Sequence, residues 1–221
     1  MPPQPPPHCH RPAARGLTLV ELLIALALLA LMAALSWRGL NGIERAQHQL
    51  AQQDAELSLL QTALAQWQTD LDALAAQPNS PSLDWDGRVL RILRQSADAG
   101  AGLHVVAWGR RVQDSKGLWL RWDSGPLTQR QTLQQAWQEA QQWGENPSPA
   151  QRQREVALCA LDQWQIYYFY DNAWSHPLSS TGKAEISHRL PSAIRLVLQL
   201  SPGQAIQGSI SLDWARFGGA R

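Results

Sequence analysis

The chain has 221 residues, with 19 basic and 18 acidic side chains and a formal charge of +1. That length holds one domain with a substantial core, or one domain plus an appended segment. Balanced, scattered charge leaves no footprint for a phosphate backbone and argues against a nucleic-acid partner. A mean hydropathy of −0.31 excludes a multi-span membrane protein.

Eleven of the sixteen aromatics are Trp, a residue suited to interfaces and to surfaces that are half apolar and half wet. Cys9 and Cys159 are too few for a disulfide scaffold and have no metal-ligand spacing.

Residues 1–16, MPPQPPPHCHRPAARG, hold six prolines and no apolar periodicity, so they make no packed element. From Leu17 to Leu35 only Thr18 and Glu21 interrupt an apolar run. As a helix this run spans roughly 28 Å, about the hydrocarbon thickness of a bilayer. A secretory signal peptide fits poorly: a carboxylate sits inside the run, and the run leads straight into a helical pattern with no small-residue cleavage site. A plain anchor gives no reason for Glu21, whose carboxylate costs about 2.5–3.5 kcal/mol near a bilayer centre.

The helical pattern continues to about Ala76. Ile43, Ala46, Leu50, Leu57, Leu60, Leu64, Trp67, Leu71 and Leu74 form one apolar seam broken only by Gln53. Gly39 and Gly42 mark a weak point where a bend would separate a membrane half from a soluble half. Pro78-Asn79-Ser80-Pro81 stops the helix. Period-two patterns then predict strands at Arg88–Leu93, Leu103–Trp108, Leu118–Trp122, Val156–Leu161, Trp164–Tyr170, Ile194–Leu200 and Gly208–Trp214. Ser201-Pro202-Gly203-Gln204 makes the last two a hairpin, with Pro and Gly placed as a type II turn requires. Thr128–Trp143, rich in Gln, reads as a short amphipathic helix closed by Asn146-Pro147-Ser148-Pro149.

Gly16-Leu17-Thr18-Leu19-Val20-Glu21, preceded by Arg11 and Arg15 and followed by the apolar run, resembles the prepilin signal of type IV pilins and type II secretion pseudopilins. The resemblance implies cleavage by a prepilin peptidase between Gly16 and Leu17 and N-methylation of Leu17. It also implies that Glu21, fifth in the mature chain, neutralises the N-terminal amine of a neighbouring subunit during assembly. Four further stretches narrow the resemblance to minor pseudopilin J of type II secretion (GspJ/PulJ-like). They are Ser36-Trp37-Arg38-Gly39-Leu40, the run Leu60–Leu64 with Trp67 and Asp70-Leu71, Asn172–Leu178, and Leu190–Leu196.

On that resemblance the fold is an α+β, pilin-like lollipop: a long N-terminal helix packed on antiparallel β-sheet. Residues 1–16 are a leader, 17–35 the transmembrane half of the helix, and 36–76 its amphipathic half. Residues 77–221 are a periplasmic domain with a helical insertion near 128–143. The implied role is structural, without enzymatic activity or cofactor: a single-pass inner-membrane subunit of the pseudopilus tip that helps to initiate assembly. The implied partners are the I and K subunits, with the H subunit as a further candidate, and the major pseudopilin. A W-like minor pilin of type IV pili shares every N-terminal feature. A membrane-anchored carbohydrate-binding or hydrolytic domain is the alternative of another class.

Other constellations are weak. His8-Cys9-His10 lies in the leader, and Cys159 reads as a small core residue. Asp84-Trp85-Asp86-Gly87 offers only two acids, fewer than a calcium loop requires, and so reads as a turn. His104, His176 and His188 have no Ser/Asp pattern around them, and Gly100-x-Gly102 lacks a third glycine. Trp67, and Trp164 with Ile166, Tyr168 and Tyr170, read as core. Trp119, Trp137, Trp143 and Trp174 are candidates for a partner surface.

Overall fold

The computed structural model describes residues 18–77, 81–96, 102–127, 129–179 and 189–216. Helix α1 runs over Leu19–Asp72. It passes through Gly39 and Gly42 without interruption; isolated glycines cost a helix only about 1 kcal/mol each. Contacts divide the chain into Met1–Ala51 and Gln52–Arg221.

Within the first unit the helix is exposed all round. Leu19, Leu29 and Met32 keep more than half of their surface, as do Ile43 and Leu50 of the seam. Among the described residues α1 is the one helix long and apolar enough to cross a membrane.

The second unit contains the end of α1 and two antiparallel sheets. The first has the order β1 (Leu83–Trp85), β2 (Val89–Gln95), β3 (Leu103–Gln113), β4 (Lys116–Asp123), β5 (Glu155–Ala160). The second has the order β7 (Ala173–Ser175), β6 (Gln163–Tyr170), β8 (Ala193–Leu200), β9 (Gly208–Ala215). All seven expected strands form, within a few residues of their expected bounds. The α+β arrangement of a long N-terminal helix followed by antiparallel sheet is as expected.

The helix stops at Asp72, four residues earlier than its apolar pattern suggests. Its last turn gives way to sheet hydrogen bonds: Ala75 N donates to Leu93 O (2.9 Å) and Gln95 N to Ala73 O (2.8 Å). The chain therefore leaves the helix by pairing with the end of β2. Of the expected stop, Pro78, Asn79 and Ser80 lie outside the described residues.

The main core joins Leu60, Ala63, Trp67 and Leu71 of α1 to both sheets. The first sheet contributes Leu90, Ile92, Val106, Trp108 and Trp119; the second contributes Ile166, Ile194, Leu196 and Leu198. Trp67 meets Trp108 edge to face at 5.3 Å, and Trp85 meets Trp164 in the same way at 4.7 Å. Such edge-on contacts are the preferred aromatic geometry.

A second core lies on the opposite face of the first sheet, where Val89, Leu93, Val105 and Ala107 pack with Leu133, Ala136, Ala140 and Trp143 of α2 (Arg130–Glu145). Neighbours along β2 and β3 thus face different cores. That is why both strands bury apolar side chains on both faces, whereas the second sheet alternates. Gly144 lets α2 approach β2, since a Cβ there would fall 2.0 Å from Val89 Cγ2.

A short helix α3 (Pro149–Arg152) follows, begun by a Ser148–Gln151 capping box with Pro149 in its first turn. The Asn146–Pro149 stretch therefore starts an element as well as closing one. The β8–β9 pairing confirms the hairpin, and Gly203 takes the positive φ of +86° that its turn position requires. The connection runs from Ser201 to Gln207, longer than a tight turn.

Seven of the eleven tryptophans are buried. Trp119 (0 % exposed) and Trp143 (1 %) are core and not partner surface, because β4 and α2 are covered on the sides that carry them. Trp137 packs at the edge of the α2 core with the Arg91 guanidinium over its ring. Trp174 is half-buried, between Phe169 and Arg195.

Candidate assembly site at the start of the helix

Gly16 and Leu17 lie outside the described residues, as do His8, Cys9, His10, Gly100 and His188. The description begins at Thr18, and its first turn is closed by reciprocal bonds. Thr18 N donates to Glu21 Oε2 (3.0 Å), and Glu21 N donates to Thr18 Oγ1 (3.3 Å). Thr18 Oγ1 also donates to Glu21 Oε2 (3.0 Å). This is a capping box: two backbone N–H groups that the helix leaves unpaired are satisfied by side chains three residues apart.

Glu21 therefore has a task inside its own chain, which its reading as a bare intramembrane charge misses. Thr18 is the partner that reading overlooks. The signal is present in sequence as T-x-x-E ahead of an apolar run. The carboxylate is exposed, and it sits in the first turn, where the helix dipole favours negative charge.

The other end of α1 carries a carboxylate in a different setting. Asp70 is fully buried. It accepts from Trp108 Nε1 (2.9 Å), Arg121 Nε (2.7 Å), Arg121 Nη2 (3.0 Å) and Gln66 Nε2 (2.9 Å), and from Arg94. Far along the helix from the apolar run that ends at Leu35, it ties the helix to β2, β3 and β4. Asp72 accepts from Trp214 Nε1 (2.7 Å) and ties the same turn to β9. Arg121 passes the network on to Asp123 (3.2 Å), which also meets His104 Nδ1 (2.8 Å) and the Gly125 N–H (2.8 Å). Burial alone would raise the Asp123 pKa, but the His104 and Gly125 hydrogen bonds and the Arg121 charge together hold it below the usual carboxylate value.

The remaining candidates are structural. Asp84 and Trp85 of the expected turn belong to β1, where Asp84 pairs with Arg91 across the strands, and only Asp86 serves the turn, its Oδ1 accepting from the backbone of Arg88 (2.9 Å) and Val89 (2.8 Å). Cys159 packs against the main core, where burial pushes its thiol up to about 11, and it is protonated at neutral pH. His176 touches Tyr167 edge-on at 5.9 Å. Among the described residues no group of three or more His, Cys, Asp or Glu is placed to hold a metal ion.

A family model described as the prokaryotic N-terminal methylation motif matches residues 11–37, which include Gly16, Leu17, Thr18 and Glu21. No curated protein matches the chain. The prepilin-type motif, the long apolar helix and the antiparallel sheets support a pilin-like protein with a single-pass membrane anchor and processing by a prepilin peptidase.

Proposed function

We propose that this chain is a minor pseudopilin of type II secretion, a structural subunit of the pseudopilus tip that helps to start assembly. The observation that carries the reading is the exposed Glu21 carboxylate in the first turn of an apolar helix, inside the matched methylation motif. Prepilin peptidase cuts between Gly16 and Leu17, and the new Leu17 amine is methylated. A charged amine at the end of an apolar helix needs a counter-charge in lipid, and Glu21 of a neighbouring subunit supplies it. Residues 1–16 are then the leader and 17–35 the membrane span. The sheet domain lies in the periplasm, where it meets the I and K subunits, the H subunit and the major pseudopilin.

Two variants test this. Gly16→Ala retains the leader; a Gly16→Ala chain that still begins at Leu17 by mass spectrometry contradicts the processing step. Glu21→Ala is cleaved normally but loses secretion and co-purification with the other minor subunits; normal secretion would remove the role assigned to Glu21.

A further inference from the structure

Ten of the eleven tryptophans are buried or half-buried; Trp37, at 67 % exposed, is the one left bare. It stands just beyond the apolar run that ends at Leu35, on an unbroken stretch of α1. Arg38 follows it and is also exposed, and among the described residues neither side chain has a hydrogen-bond or ion-pair partner. An indole joins an apolar ring to a polar N–H, and such a group settles where hydrocarbon meets headgroups.

The helix has the length to place it there. From Thr18, whose cap closes the first turn, to Trp37 it rises roughly 28 Å, close to the hydrocarbon thickness of about 30 Å. Every described side chain from Thr18 to Leu40 is exposed, so the surface that meets lipid along the span continues without a break to Trp37. That continuity favours lipid over a protein groove as the occupant.

The direction of the side chains adds to this. Helical side chains lean toward the N-terminus of their helix. At Arg38 that is back toward the apolar run, so the guanidinium reaches the lipid phosphates although its Cα stands roughly 4.5 Å beyond that of Leu35. A guanidinium grips a phosphate with parallel N–H bonds. Arg45 lies on nearly the same side but roughly 10 Å farther out, beyond the headgroups. At Glu21 the same lean carries the carboxylate away from the bilayer centre.

We infer that Trp37 and Arg38 dock on the phospholipid headgroups at one face of the bilayer, the Arg38 guanidinium on a lipid phosphate, and so set the depth of α1. The Thr18–Glu21 box then lies at the opposite headgroup boundary and not in mid-bilayer. This rests on the membrane span of the proposed function and is independent of the secretion role.

The test places the full chain, with Cys9→Ala and Cys159→Ala as background, in vesicles of phosphatidylethanolamine and phosphatidylglycerol. A nitroxide is attached in turn at Leu22→Cys, Leu28→Cys and Leu35→Cys, and its depth is read from relaxation by oxygen against a water-soluble nickel chelate. Leu28 is expected deepest, with the other two shallower by roughly 7–11 Å. Trp37→Ala with Arg38→Ala lets Leu40 enter the bilayer, and Leu35 moves deeper by about one helical turn, roughly 5 Å. Arg38→Lys, which keeps a cation for the phosphate, holds the original profile, and so does Arg45→Ala. Unchanged depths in the double variant overturn the inference, as does a depth maximum at Leu22 or an equal slip caused by Arg45→Ala. Water access at all three positions removes the span itself, and with it the reading on which the inference rests.

Discussion

Glu21 and Asp70 are carboxylates on the same helix with opposite circumstances. Glu21 is exposed and held by Thr18 alone among the described residues, at bonds of 3.0–3.3 Å. Asp70 has no exposed surface and takes donors from two arginines, a tryptophan and a glutamine. Burial separates their uses. A carboxylate enclosed by cations serves as architecture, because exchanging any partner leaves an uncompensated charge in a low dielectric. A carboxylate held by one local cap can accept a new cation without dismantling a fold.

The sharpest way to break the comparison is at Asp70. Asp70→Ala leaves Arg94 and Arg121 without their shared counter-charge and is expected to cost about 3–5 kcal/mol in denaturant unfolding of the chain. A loss below about 1 kcal/mol would show that solvent reaches the site. Trp143→Ala, which empties the α2 core and frees Glu155 from a 2.6 Å bond, is expected to cost about 3 kcal/mol. Gln138→Ala, on the exposed side of the same helix, should stay within about 0.5 kcal/mol.

A smaller effect is expected from pH. Asp123 has a lowered folded-state pKa, so its contribution is present above the unfolded value of 3.8 and is lost as pH falls through the folded value. Thermal midpoints should therefore drop on acidification below about pH 4. His104→Ala, which removes one of the bonds that lower Asp123, should move that drop to higher pH. An acid limb unchanged by His104→Ala would disconnect the pair from stability. The most local change is expected at Thr18, where loss of the cap costs the helix end about 1 kcal/mol by circular dichroism and leaves the sheet domain unaltered.

Much of this architecture is legible in the chain. The strands of the second sheet show themselves by alternation, since Ile194, Leu196 and Leu198 are buried while the residues between them are less so. β2 and β3 are legible as strands, yet only the packing of α2 explains why both of their faces are apolar, because the sequence does not reveal what covers the second face. β1 and β7, at three residues each, are too short for a period to register. The Thr18–Glu21 cap spans three residues and can be read from spacing. The Asp70 network cannot, because its partners Arg94, Trp108 and Arg121 lie 24, 38 and 51 residues away. Trp119 and Trp143 look unconstrained for the same reason: their cover comes from α1 and from the first sheet, distant in sequence.

Because Glu21 both caps its helix and carries charge, one substitution separates the two. Glu21→Gln retains an acceptor for Thr18 N, as the capping box allows, and removes only the charge. The decisive measurement is co-purification of Glu21→Gln with co-expressed minor pseudopilins, alongside Glu21→Ala and Thr18→Ala. If the charge pairs with a neighbour's amine, Glu21→Gln fails as fully as Glu21→Ala, while Thr18→Ala still assembles. Wild-type assembly by Glu21→Gln together with failure of Thr18→Ala would show that the carboxylate serves only its own helix, and would contradict the assembly role proposed for it.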